Sequence, residues 1–224
     1  MIHSYRYPVL FTLLSILLLS LCWRPASANE QPAPQDIIPQ TVDLTLAELA
    51  KRRAAIQADP SLLYPLVQHT VVPWFDFARI TRSAMGPFWR KASTTQRTAL
   101  TAAFQTLLVR TYAQALLNYP NPKMRYLPVR IAKNGKKMLA PTQVVTQNNQ
   151  TIPINYRLHR QANGRWLIYD VIVNGISLIT NYRSTFKSLI RQGASQATER
   201  TARIPTGIEH LIRNLQAKNA ARTQ

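Results

Sequence analysis

Acidic residues are scarce in this chain of 224 residues: nine Asp and Glu stand against 28 Lys and Arg. The acids are Glu30, Asp36, Asp43, Glu48, Asp59, Asp76, Asp170, Glu199 and Glu209. No two are spaced like a glycosidase pair or a metal-ligand cluster. There is one cysteine, Cys22, so no intrachain disulfide can form, and only six glycines. G-x-S-x-G, H-E-x-x-H and a Gly-rich phosphate loop are all missing. His69, His159 and His210 are scattered, and His159 falls on the polar side of its alternating segment, where solvent is its expected neighbour. These absences leave no expected catalytic, metal or cofactor set, and an enzymatic reading without support.

What is present begins with an export signal. Residues 1 to 28 combine Arg6, an apolar run from Val9 to Leu21 and the small residues Ala26-Ser27-Ala28. The run is about 13 residues, short of the roughly 20 that span a bilayer, so cleavage after Ala28 is expected. A rival reading makes Cys22 a lipid anchor, but Leu21 precedes it where lipoprotein signals want a small residue. Cleavage leaves 196 residues, enough for one domain with a sizeable core, and removes Cys22. An exported, cysteine-free chain suits a bacterial periplasm. Loss of Arg6 and Arg24 leaves 26 basic residues and a net charge of +17, which implies attraction to anionic lipid headgroups or acidic partners.

Residues 29 to 40 read as a polar, Pro-rich, mobile lead-in. Helical periodicity then covers about 41–59, 61–71 and 75–85, the last closed by Gly86-Pro87. The segment 93–119 opens with the capping box Ser93-x-x-Gln96 and carries Leu100, Phe104, Leu107 and Leu108 on one broad face. After Tyr119-Pro120-Asn121-Pro122 the period falls to two. Strands are expected over 125–133, 139–147, 151–160 and 165–173, with turns at Asn148-Asn149 and Asn163-Gly164. A helix follows from Leu178 to Ile190, and a polar tail from Gly193 holds a short helical segment near 207–216. Helices, an antiparallel meander of four strands and a closing helix make one α+β domain over residues 41–192, with a basic tail at 193–224.

Two acids stand out. Asp76 heads a helix and reads as its N-cap. Asp170 lies within an apolar strand, so it reads as a carboxylate paired with an Arg or a backbone N–H, with a catalytic base in a pocket as the sharper alternative. The basic residues rarely interleave with aromatics in a way that would stack bases, so nucleic acid is not an expected partner.

With these elements in place, the sequence resembles the periplasmic phospholipid-binding family of the maintenance-of-lipid-asymmetry (Mla) transport system, also called the toluene-tolerance family. Val72-Pro73, Asp76-Phe77, Gly86 with Trp89, Gln96, Phe104, Leu108 and Tyr112 carry the resemblance in residues 71–116. Tyr156-Arg157-Leu158, Trp166, Tyr169-Asp170-Val171, Gly175, Ser177-Leu178, Asn181-Tyr182-Arg183 and Phe186 carry it in residues 152–190. Trp74 and the basic tail depart from the family pattern.

The resemblance implies a monomeric, non-enzymatic carrier moving phospholipid between the outer membrane and an inner-membrane ABC transport complex. It further implies an outer-membrane lipoprotein–porin partner and transient contact with membrane surfaces. It also implies a nuclear-transport-factor-like (NTF2-like) curved sheet with an internal apolar cavity. Two acyl chains carry on the order of 30 methylenes, so leaving them in water would cost roughly 25 kcal/mol. The expected lining is Leu100, Phe104, Leu108, Tyr112, Leu116, Ile152, Ile154, Tyr156, Leu167, Tyr169, Val171, Val173, Leu178, Tyr182 and Phe186. Leu167, Tyr169, Val171 and Val173 are expected on one inner face because Asp170 lies between them. The alternatives are a periplasmic adaptor with a filled core and an enzyme using Asp170.

Overall fold

The change of period after residue 118 is realised as a change of structure. A computed structural model describes residues 32–118, 123–146 and 148–221, with side chains of the 94–118 helix described as far as Gln114. The export signal expected at 1–28 and the Pro-rich turn at 119–122 lie outside the described residues. Among the described residues, five α-helices come first: α1 (Ile37–Lys51), α2 (Arg53–Ala58), α3 (Leu63–Thr70), α4 (Phe77–Met85) and α5 (Thr94–Asn118). Six strands follow: β1 (Lys123–Tyr126), β2 (Arg130–Ile131), β3 (Lys137–Val145), β4 (Thr151–Arg160), β5 (Trp166–Val173) and β6 (Ile176–Ser177). Helices α6 (Leu178–Ala194) and α7 (Arg203–Ala221) complete the order.

The caps form as their residue types dictate. Asp76 Oδ1 accepts from the Arg79 N–H at 2.8 Å and starts α4. Ser93 and Gln96 exchange reciprocal bonds, each 3.1 Å, and start α5. Helix α1 begins at Ile37, earlier than the expected Thr41, and Ile37 and Ile38 are 1% and 3% exposed. The end of the lead-in is therefore structured. Pro39 is tolerated there because first-turn N–H groups have no intrahelical partner.

The sheet is antiparallel in the order β1-β3-β4-β5-β6, and β2 also pairs with β3. Six strands replace the expected four. Pro128, which has no N–H, divides the first into β1 and β2, while the Leu127 N–H still reaches Pro141 O at 3.1 Å. After β5, Asn174 (φ 49°) and Gly175 (φ 81°) form a tight turn that matches strand twist, and it returns the chain as β6 before α6 begins.

The expected polar tail is also different. Its helix α7 runs over 19 residues, and Ile208, Leu211, Ile212 and Leu215 are buried beside Leu100, Phe104, Phe186 and Ile190. The contact is close because two glycines meet it. A Cβ on Gly193 would collide with His210, and one on Gly207 with the Ile190 carbonyl. Gln96 ties α7 down further, its Nε2 donating to Pro205 O at 3.2 Å and to Glu209 Oε1 at 2.9 Å.

Among the described residues, the buried apolar side chains form three clusters. The largest joins α4, α5, α6 and α7. A second packs Ile37 and Ile38 on Met138, Ala140, Leu158, Trp166 and Ile168. The third joins Leu49, Ile56, Leu63, Leu66 and Val67 to Val109 and Ala113 on α5. Phe75 touches the first two and Val72 the first and third, so these partly buried residues are the joints between them.

Candidate functional site

Strand β5 does not keep one face. Its pairing with β4 runs Ile154↔Val173, Tyr156↔Val171 and Arg157↔Asp170, then Leu158↔Ile168, His159↔Leu167 and Arg160↔Trp166. Tyr169 is the extra residue of a β-bulge. Directly paired residues share a face, so Val171 and Val173 lie with Tyr156, Ile154, Leu158 and Ile168 on the side of α1. Leu167 lies with His159 on the other side, where Tyr169 packs against the α4–α7 cluster. The expectation of one face for 167, 169, 171 and 173 fails because strict alternation cannot foresee an inserted residue.

Bulge geometry also places the polar residues. Asp170 is 1% exposed and accepts from Ser177 Oγ at 2.8 Å, Arg157 Nη1 at 3.2 Å and the Ile179 N–H at 3.3 Å. It anchors the first turn of α6, whose own cap is Ser177 accepting from the Thr180 N–H at 3.2 Å. A carboxylate with three donors agrees with the pairing expected of Asp170. His159 is buried, against the expectation of solvent. Its Nε2 is 2.8 Å from Asp76 Oδ2, and its ring meets Tyr169 edge-on at 5.8 Å. Asp76 thus caps α4 with one oxygen and holds the sheet with the other, a long-range pairing with no sequence signal.

Along the α1 face of the sheet, two halves differ. At the end near the 132–136 and 161–165 turns, Met138, Ala140, Leu158, Trp166 and Ile168 are all 5% exposed or less beneath Ile37 and Ile38. Helix α1 reaches Tyr126, whose hydroxyl lies 3.4 Å from Asp43 Oδ1. Toward the other end of this face, Val144, Ile152, Ile154, Tyr156 and Val171 are only partly buried. Val173 is 40% exposed and Ile176, at the tip of the β5–β6 hairpin, 66%.

The remaining expected lining residues divide in the same way. Leu100, Phe104, Leu108 and Phe186 are sealed in the α4–α7 cluster, and Leu167 is also buried. Leu178 and Tyr182 are partly buried at its margin, while Tyr112 is 47% exposed and hydrogen-bonds Tyr182 across α5 and α6. The side chain of Leu116 is outside the described residues. Sequence reading missed Val144 and Ile176. Val144 was legible as the Cα partner of Ile152 once the hairpin register was known, whereas the short β6 gave no signal.

The tyrosine hydroxyls in this region stay neutral. Burial pushes Tyr156 up to about 12. Burial, then the neighbouring Asp43 charge, pushes Tyr126 up to about 12. Burial also raises Tyr112. Neutral hydroxyls on an apolar surface offer hydrogen bonds without the cost of desolvating a charge. The arrangement suits binding an apolar body with a polar end.

Comparison with known proteins gives the same direction. A family model described as MlaC protein matches residues 39–216. The toluene tolerance protein ttg2D of Pseudomonas putida is 26% identical over 180 residues, which are 80% of this chain and 83% of that protein. The intermembrane phospholipid transport system binding protein MlaC of Haemophilus influenzae is 24% identical over 172 residues, 75% of this chain and 79% of that one. A phospholipid-binding protein from Ralstonia solanacearum, solved at 1.53 Å in complex with a phospholipid, superposes with a TM-score of 0.72 and 28% identity. The match covers 85% of this chain and 98% of that one.

Proposed function

The chain belongs to the MlaC protein family, and from that membership we propose that it is a periplasmic phospholipid carrier. It shields acyl chains against the open half of the sheet and shuttles lipid between the outer membrane and an inner-membrane ABC complex. Ile152, Ile154, Tyr156, Val171 and Val173 line the chains' path, with Tyr112, Leu178 and Tyr182 bounding it from the helices. Leu100, Phe104, Leu108, Leu167, Tyr169 and Phe186 form the packed wall behind. The mouth lies at the Val173–Ile176 end, where apolar side chains meet solvent.

The observation that carries this reading is the run of partly buried apolar residues on a sheet face whose other half is sealed. A fully filled core would leave no such gradient, and each methylene brought from water onto that surface contributes about 0.8 kcal/mol. Asp170, enclosed by three donors, supports a binding role over a catalytic one. The test is native mass spectrometry of the mature protein from a periplasmic extract, before and after mild organic extraction. A mass excess of one phospholipid, lost on extraction, is the expected result. A clean apo mass, with no uptake from phospholipid vesicles, would overturn the carrier reading in favour of an adaptor.

A further inference from the structure

The basic charge of this chain is not evenly spread. Residues 77–169 contain 15 Lys and Arg and no Asp or Glu. Six of these cations gather at one end of the sheet: Arg130, Lys133, Lys136 and Lys137 around the β2–β3 turn, and Arg160 and Arg165 around the β4–β5 turn. The turns are held together, with the Arg160 N–H donating to Lys136 O at 3.0 Å. Between them lies a cleft of about 510 Å³ lined by Asn134, Lys136, Arg160 and Gln161 with Gly135 and Gly164. All six cations are exposed, and among the described residues none takes part in an ion pair. Ile131, between Arg130 and Lys133, is 49% exposed.

We propose that this turn-borne end of the sheet is a docking surface for anionic phospholipid membranes. The chemistry favours headgroups over an acidic protein. A specific protein interface is built around aromatic or other large apolar anchors, and here the exposed side chains are lysines, arginines, amides, the small Ala132 and Ala162, and one large apolar residue, Ile131. Lysine ammonium groups on long, freely rotating stems suit a fluid layer of phosphates, where no fixed geometry is required. Ile131 adds the single large apolar contact that a headgroup interface accepts. Along β4, Arg160 of this surface lies six residues from Ile154, the partner of Val173, which puts the Val173–Ile176 end about 20 Å away at the rise of a strand. Docked here, the protein holds that end away from the bilayer and open to a protein partner standing above it. The contact does not depend on the cargo: a chain that held no lipid would still dock.

The test compares the mature protein with two variants of equal net charge in co-sedimentation with phosphatidylethanolamine–phosphatidylglycerol vesicles. Lys133→Ser/Lys136→Ser/Lys137→Ser removes three cations from the surface. Arg191→Gln/Arg200→Gln/Arg213→Gln removes three exposed ones from α6, α7 and the segment between them. Each cation near an anionic surface is worth about five-fold, so the first variant should partition roughly 100-fold more weakly at low salt. The second should stay within a few-fold of the parent, and all three proteins should carry the same lipid by native mass spectrometry. Equal loss in both variants would reduce the effect to net charge and overturn the proposal, as would failure of the parent to bind. So would binding to poly-L-glutamate, lost in the first variant, without binding to vesicles, which would make the surface a site for acidic protein.

Discussion

The two halves of the sheet face beneath α1 are built from the same kinds of residue and reach different states. Leu158, Trp166 and Ile168 are enclosed, whereas Ile154, Val171 and Val173, on the same two strands, remain partly or largely open. Side-chain type does not decide this; coverage does. Ile37 and Ile38 close one half, and no cluster of buried residues closes the other among the described residues. One strand pair therefore serves as core at one end and as a surface for something apolar at the other.

Breaking the closed half should cost most. Leu158→Ala removes a side chain that is 0% exposed and should destabilise the protein by about 3 kcal/mol in urea unfolding. Asp170→Ala leaves the Ile179 N–H and Ser177 Oγ without their acceptor, and a loss of about 2 kcal/mol is expected by the same assay. The open half carries its own signature at high pH. Tyr156 has its hydroxyl raised from 10.0 to about 12, so the folded state resists an ionisation that the unfolded chain allows. Its contribution is complete below pH 10 and lost as pH rises to about 12. Thermal melts across that window should show a decline of 1 to about 2 kcal/mol, diminished in Tyr156→Phe. Val173→Ser should have the smallest effect on stability, under about 0.5 kcal/mol, because Val173 is 40% exposed. Yet it should retain several-fold less phospholipid in native mass spectra. Equal stability losses for Leu158→Ala and Val173→Ser would erase the contrast between the halves.

Much of the fold was written in local signals. The Asp76 cap, the Ser93–Gln96 box and the alternation in β4 each depend on residues a few positions apart, and each forms as the residue types require. What stayed hidden needed distant partners. The bulge at Tyr169 is visible only in the register with β4, the burial of His159 only through Asp76, and the depth of α7 only through Gly193 and the α5 cluster. The same limit applied to the site. Composition identified the apolar residues, but which became sealed depended on distant cover, α7 over Leu100 and Phe104 and α1 over Leu158 and Ile168. The resemblance to the phospholipid-binding family supplied the functional direction that periodicity alone could not.

The packing of α7 has a consequence for the order in which the chain can fold. Phe104 and Leu100 are enclosed partly by Ile208, Leu211 and Leu215, more than a hundred residues later. Contacts of such long separation form slowly, because loop closure must come before its reward. Until residue 215 is available, the largest apolar cluster has an open side. A chain emerging N-terminus first therefore cannot mature piece by piece. The early helices must wait as exposed apolar surface, the state in which chaperones hold chains and aggregation competes. The last helix is thus the closing step of folding, and removing it should yield a chain that collects in inclusion bodies rather than a shorter working protein.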